Sequence, residues 1–218
     1  PGARLCPFGC YDTTAFAQKM ENVIFPNDRH VKVAFTGCSN DCAKVRMADF
    51  GIIGMTEPQY DPNRCVACEQ CIKYCKKRSV DALSLVNGKI VRDTKKCIGC
   101  GVCITYCPTR AWTRSKEHYF RLVILGRTGK RNPRLAEDFI KWCDEESILK
   151  IAANTYAYIE EYIDPEAVEN KEHIGYIVDR TGFEKFKEYI FRDVSLSEKA
   201  EVAQEVYWGG KHYDRYGG

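Results

Sequence analysis

The sequence predicts an α+β protein: an α/β domain, a compact cysteine-rich module inserted between two strands of one sheet, and a helical C-terminal part. Three observations carry this. Apolar and β-branched runs at residues 31–35, 50–55 and 119–125 read as strands. Between the second and third of them lies a cysteine run that occurs twice. From Leu135 onward apolar residues recur at helical spacing, in Leu135, Phe139, Ile140 and Trp142, again across 148–163, and in Phe183, Phe186, Tyr189 and Ile190, with Pro165 and Gly182 as breaks. The expected organisation is a first segment over 1–56, the insert over 57–113 and a second segment over 114–218.

The totals narrow the class. A chain of 218 residues buries a substantial core. A net charge of +3 is too small to indicate nucleic-acid binding. No apolar run approaches the length of a bilayer-crossing helix, so no membrane partner is expected. The informative total is 13 cysteines. Eight of them fall into two copies of one ligand pattern, which a disulfide scaffold has no reason to produce. Metal-ligating thiolates must stay reduced, which points to a cytoplasmic setting.

The repeat reads Cys65-x2-Cys68-x2-Cys71-x3-Cys75 and then Cys97-x2-Cys100-x2-Cys103-x3-Cys107-Pro108. This is the bacterial-ferredoxin spacing, in which the fourth cysteine of each run serves the other cluster. Three thiolates on a tight loop reach three irons of one cube, and the fourth, a helical turn onward, points at the neighbouring cube. One [4Fe–4S] cluster is therefore expected on Cys65, Cys68, Cys71 and Cys107, and a second on Cys97, Cys100, Cys103 and Cys75. Zinc knuckles use paired C-x2-C units with longer gaps. Asn87-Gly88 between two apolar runs predicts a hairpin inside the module. Gly99 and Gly101 let the second loop wrap closely. Cys75 is followed by Lys76-Lys77-Arg78 where the first run of such modules often has proline, a basic turn read as solvated in preference to a docking patch or a charge that raises the cluster potential.

Outside the repeat, the strand at 31–35 leads into Thr36-Gly37-Cys38 and a second thiol at Cys42, half of another ligand set. The turn Thr36-Gly37-Cys38-Ser39-Asn40-Asp41-Cys42, the strand after it, the inserted repeat and the basic loop Gly126-Arg127-Thr128-Gly129-Lys130-Arg131-Asn132-Pro133-Arg134 resemble the anaerobic sulfite reductase branch of the sirohaem sulfite and nitrite reductase family. The tail at 206–208 is similar as well. In that family a cluster beside the haem is held by C-x5-C and then C-x3-C in a T-G-C-x-N-x-C setting.

The resemblance implies that Cys38 and Cys42 are the second pair and that Cys42 bridges the cluster to sirohaem iron. Cys6 then closes the first pair, whose other cysteine would precede Pro1, and Gly2 falls on the motif's glycine. The alternative takes Cys10, completing a four with Cys6, Cys38 and Cys42. The resemblance further implies reduction of sulfite to sulfide by six electrons, relayed through the two ferredoxin-type clusters from iron–sulfur and flavin, NADH-oxidising partner subunits. Sirohaem carries eight carboxylates, for which Arg127, Lys130, Arg131 and Arg134 are the candidates, with Lys44 and Arg46 behind them. Substrate-gripping residues are expected upstream of Pro1, so no catalytic residue is named. His30, His118, His173 and His212 are read as packing or surface residues, and Cys143 as a buried small hydrophobe. A nitrite reductase of the same family and a plain two-cluster electron carrier are the competing functions.

Overall fold

The computed structural model describes residues 2–25, 27, 29–128, 133–168 and 172–206. Lys130, Arg131, Tyr207, Trp208 and His212 lie outside the described residues. In chain order the elements are α1 (Gly2–Leu5), α2 (Thr13–Ile24), β1 (Val33–Thr36), β2 (Phe50–Met55), β3 (Pro58–Tyr60), α3 (Gln70–Lys77), β4 (Leu83–Val86), β5 (Lys89–Arg92), α4 (Val102–Thr105), β6 (Trp112–Arg114), β7 (Tyr119–Ile124), β8 (Glu137–Cys143), α5 (Glu145–Tyr162), α6 (Ile174–Thr181), α7 (Phe183–Ile190) and β9 (Glu201–Val202). The mixed helix-and-sheet class is the one the sequence predicts. No helix is long and apolar enough to cross a membrane among the described residues. The chain divides into two compact units, one of residues 1–12, 37–40 and 54–119, the other of 13–36, 41–53 and 120–218.

The second unit is built on a sheet of order β1-β2-β7-β8-β9. Strands β1 and β2 are parallel, with Val33 opposite Phe50 and Thr36 opposite Ile53. Every residue of β2 is buried, as a strand covered on both faces requires. Its neighbour in the sheet is β7, so the cysteine-rich segment leaves and re-enters the chain between adjacent strands.

One expected helical segment is a strand. Residues 137–143 form β8, antiparallel to β7 from Ile124 opposite Glu137 to Phe120 opposite Cys143. The run is short and rich in aromatic and β-branched residues, and Phe139, Ile140, Trp142 and Cys143 are all buried. Ladder pairing and two-sided burial outweigh a spacing that only mimics a helix turn. The helical part begins at α5. Asp144 caps it by accepting the Ser147 backbone N–H at 2.8 Å, and Glu145 and Glu146 occupy the first turn. Ile148, Ile151, Ala152, Thr155 and Ile159 form its buried stripe, and α2, α6 and α7 pack on it. Gly182, at φ 95°, parts α6 from α7.

The loop after β7 is pinned from below. Arg127 and Arg134 exchange backbone hydrogen bonds of 2.9 and 2.8 Å. Their guanidinium groups, each 6% exposed, share the two oxygens of Asp179 on α6 at 2.6 and 2.7 Å. Arg134 also donates to the carbonyls of Leu125 and Gly175, and Arg127 lies 4.3 Å from the Tyr176 ring.

The first unit contains the β4–β5 hairpin, turned by Asn87 at φ 49° and Gly88 at φ 74°, as the sequence predicts. A second antiparallel pair, β3 with β6, sets Tyr60 opposite Trp112. Their rings lie 4.6 Å apart. Cys71, Ile72, Cys75, Leu83, Ile90, Cys103 and Trp112 form the core of the module.

Removing the charge that the two buried arginines share tests the loop anchor. Asp179→Asn removes the carboxylate that both cations share and is expected to cost about 3 kcal/mol, the low end for a broken buried pair because the carboxylate is partly exposed. A thermal melt of the variant reads this as a lowered midpoint; an unchanged midpoint would remove the anchoring role.

Candidate metal centres

The two cysteine runs share one backbone. The residue before the second cysteine and the residue after it both adopt positive φ: Ala67 at 51° and Glu69 at 57° in the first loop, Gly99 at 65° and Gly101 at 69° in the second. Glu69 and Gly101 then stand at the N-cap positions of α3 and α4. In the second loop glycine adopts these conformations without strain; the first imposes them on Ala67 and Glu69, residues for which they are uncommon. Tyr74 and Tyr106, each just before the fourth cysteine of its run, stack with centroids 3.6 Å apart and planes at 8°.

The arrangement gathers the thiols in two crossed sets. One cavity is lined by Cys65, Cys68, Cys71 and Cys107, with Ile90, Ala111 and Trp112 among its walls. Another is lined by Cys97, Cys100, Cys103 and Cys75, with Pro58, Leu83 and Arg92. The crossing has a local cause. Helix α3 carries Cys75 away from its own loop, and its sulfur accepts the Ala82 backbone N–H at 3.3 Å. The Cys107 sulfur accepts that of Ala111 at 3.2 Å. Without a proline after Cys75, α3 runs on through Lys76 and Lys77, whereas α4 stops at Thr105 ahead of Pro108.

Electrostatics test whether these sets fit a metal cluster. Burial pushes the thiols of Cys71, Cys75, Cys100 and Cys103 up, and neighbouring thiolates push the same way: Cys107 and Cys65 on Cys71, Cys97 on Cys75, Cys100 and Cys97 on Cys103. Cys107 goes the other way. Burial raises it too, but the Thr109 hydroxyl and the backbone N–H groups of 109, 111 and 112 hold it below the ordinary thiol value. Thiols crowded so closely ionise together only beside a cation. The buried indole N–H of Trp112 makes no hydrogen bond to nitrogen or oxygen, and it favours the Cys71 thiolate. Each set surrounds a cavity, and among the described residues no three His, Cys, Asp or Glu side chains converge on a single metal position. The donor sets fit iron cubes that take one thiolate per iron.

The two sets differ in exposure. In the first, Cys68 is exposed, Cys65 and Cys107 are half-buried and Cys71 is buried; in the second, Cys97 is half-buried and Cys75, Cys100 and Cys103 are buried. The first set is the outer of the two in that it alone has an exposed thiol, and the second is the inner one.

The amino-terminal cysteines belong to the same unit. The backbone of Gly37 approaches so closely that a Cβ there would stand 3.1 Å from Gly2 Cα and 3.4 Å from Gly9 Cα. A Cβ on Gly54 would stand 2.4 Å from the Gly37 oxygen. The Cys10 N–H donates to that oxygen at 2.7 Å. This close packing gives the motif glycines their reason and brings Cys10 beside Cys38. Burial pushes Cys10 up to about 11, against the pull of Arg114, while Cys38 and Cys100 push it the same way as burial. Cys10 therefore lies near both Cys38 and the second ferredoxin loop. Cys6 is half-buried, and Cys42, on the following turn, is exposed.

Other candidates are placed differently from expectation. The Arg127 and Arg134 groups that bind Asp179 are buried, with their N–H groups engaged inside the protein, so these two side chains do not fit an open cradle for sirohaem carboxylates. Arg46 is likewise engaged, with the Ala136 carbonyl and Asp138; Lys44 is exposed, at φ 55°. The histidines are not all unpartnered. His173 Nδ1 lies 3.4 Å from the buried Asp49 carboxylate, and its ring is 4.5 Å from that of His30. His118 Nδ1 lies 3.0 Å from the Cys10 carbonyl oxygen. Such partners come from distant segments and leave no local signal in the sequence. Cys143 is fully buried, as expected.

The chain is an iron–sulfur domain of the reductase class. The family model described as nitrite and sulphite reductase 4Fe-4S domain matches residues 1–199, and the chain belongs to that family. Two relatives, anaerobic sulfite reductase subunits of Salmonella typhimurium and Salmonella typhi, are each 39% identical over 207 residues, covering 95% of this chain and 61% of theirs. The chain thus spans about three fifths of the length of those relatives. A coenzyme F420-dependent sulfite reductase of Methanocaldococcus jannaschii is 32% identical over 83 residues, 37% of this chain and 13% of that protein. Among solved structures, dissimilatory sulfite reductase I matches with a TM-score of 0.65 at 18% identity, covering 94% of this chain and 54% of that one, a likeness of fold.

Crossed ligation gives an asymmetric expectation. Cys107→Ser should disturb the cluster whose other ligands are in the first loop, and Cys75→Ser the cluster of the second, as read by electron paramagnetic resonance of the reduced protein. Each substitution disturbing its own loop's cluster would overturn the crossed sets. Iron removal should also unfold the first unit selectively, because thiols fill much of its core. Hydrogen exchange would then rise across 57–113 while α5 stays protected.

Proposed function

We propose that this chain is the cluster-bearing part of a sulfite reductase catalytic subunit, which reduces sulfite to sulfide with six electrons delivered one at a time. The observation that carries this is the continuous series of thiols in the first unit. A set of four cysteines that includes the exposed Cys68 adjoins a more buried set, and the second set adjoins Cys10 and Cys38. Cys65, Cys68, Cys71 and Cys107 would hold the cluster nearest a donor, since Cys68 is exposed. Cys97, Cys100, Cys103 and Cys75 would hold the second, in more buried surroundings. Cys6, Cys38 and Cys42 would hold a third, a role supported by the T-G-C-x-N-x-C motif and by the close glycine packing around it; such clusters, when bound, would supply one-electron carriers in series. Cys10 is the alternative thiolate there, since it lies beside Cys38.

A sirohaem, when bound, would supply the iron at which sulfite is reduced. Cys42, the exposed thiol of the motif, is the proposed link to it. In this proposal Arg127 and Arg134 hold the fold rather than the macrocycle. The names of the relatives favour sulfite over nitrite as substrate. Donors would be iron–sulfur and flavin subunits of the same complex, consistent with relatives that are named as subunits.

An anaerobic iron count and absorption spectrum of the full-length protein test the proposal. Iron for three cubes plus a haem, with a sharp chlorin band above the broad iron–sulfur absorption, is the expected outcome. Iron for two cubes with broad absorption alone would leave a two-cluster electron carrier. In the loaded protein, Cys42→Ser should abolish magnetic coupling between haem and cluster in the Mössbauer spectrum, and persistent coupling would remove Cys42 from the bridge.

A further inference from the structure

Two arginines outside every ligand motif meet the cysteine-bearing segments of the first unit. Arg78, the last residue of the basic turn after Cys75, is half-buried, unlike the exposed Lys76 and Lys77 before it. Its guanidinium lies 5.2 Å from the Phe8 ring, between Cys6 and Cys10 in sequence, and donates to Asn40 Oδ1, between Cys38 and Cys42. Arg114, on β6, reaches the same amino-terminal segment. It donates from Nη1 to the Cys10 sulfur at 3.5 Å and from Nη2 to the Pro7 carbonyl at 3.1 Å. The same Nη1 lies 3.7 Å from where a Cβ on Gly101 would stand, against the second cysteine loop.

Neither arginine has a carboxylate partner among the described residues, whereas Arg92, which lines the second cavity, is matched by Glu57 at 3.2 Å. Two cations without a carboxylate partner thus lie near the inner set, Arg114 against Gly101 and Arg78 with its backbone N–H on the Cys75 carbonyl at 3.2 Å, while the carboxylate of Asp81 also acts on Cys75. The outer cavity has Glu69 and no cation in its lining. Burial alone would make the inner cluster the harder one to reduce, because the added electron increases negative charge in a poorly solvated site. Electron flow from the exposed set to the buried set needs that penalty offset, and a nearby fixed cation offsets it.

We propose that Arg78 and Arg114 are positioning residues that raise the reduction potential of the inner cluster and hold it against the Cys6–Cys10 segment. With both clusters bound, that shift would favour transfer of one electron from the cluster held by Cys65, Cys68, Cys71 and Cys107, oxidised by one unit, to the cluster held by Cys97, Cys100, Cys103 and Cys75, reduced by one, with no proton moved. This rests on the two-cluster relay proposed above.

The test is a potentiometric titration, followed by electron paramagnetic resonance, of the full-length protein and of Arg78→Gln, Arg114→Gln and Arg78→Lys. The two signals are assigned beforehand with the Cys107→Ser variant. Each glutamine variant should lower the one-electron reduction constant of the inner cluster about threefold to tenfold, the upper end being about 59 mV, with the outer cluster unmoved. Arg78→Lys, which keeps the charge, should stay near the parent. Should the glutamine variants lose iron, Asn40→Asp, which sets a carboxylate against an intact Arg78, is expected to shift the inner cluster in the same direction. Full iron with unmoved potentials in the glutamine variants, or in Asn40→Asp where those lose iron, overturns the proposal, as does a shift confined to the outer cluster. A parent protein without two cluster signals overturns the relay itself.

Discussion

The first unit depends on thiols buried where their ionised form is unfavourable. Its core holds Cys71, Cys75 and Cys103 alongside only a few large apolar side chains, and each of these thiols is pushed toward its neutral form by burial and by its neighbours. Without a cation that core is a poorly packed set of small side chains. Iron bound in both cavities would make thiolate ligation a stabilising interaction in that core. The strained backbone of Ala67 and Glu69 belongs to this account. A positive φ at non-glycine residues persists where the surroundings over-determine it. The second unit has no such dependence, because its sheet and its α5–α7 layer bury aliphatic and aromatic side chains throughout.

In the proposed relay, exposure and charge would give the direction. The outer set has the exposed Cys68, and the inner set is more buried and lies near Cys10, which Arg114 contacts. A buried cluster that is to accept electrons needs a compensating positive charge, and the residues that supply it come from outside the ligand motifs. Arg114 belongs to the strand that closes the module and Arg78 to the turn that replaces the customary proline. The departure from the ferredoxin pattern at that turn is therefore structural in two of its residues, which prolong α3, and electrostatic in the third.

Much of this was legible in the sequence because it is local. Cysteine spacing predicts the crossed sets, Asn87-Gly88 the hairpin, and Gly37 the close turn. What was not legible depends on distant partners. Residues 137–143 carry a pattern that suits a short helix as well as a strand, and only the presence of β7 as a pairing partner decides it. Arg127 and Arg134 look like open anion ligands in a basic loop until Asp179, far along the chain, occupies them. His173 looks isolated until Asp49 lies beside it. Buried charge pairing of this kind leaves no spacing rule behind.

The most direct test of the account is anomalous diffraction at the iron absorption edge on crystals of the anaerobically prepared full-length protein. The account predicts a compact group of four irons in each cavity, with the Cys107 sulfur on the group held by the first loop and the Cys75 sulfur on the group held by the second. Single metal positions in the two loops, or fourth cysteines that ligate their own loop's group, would contradict it.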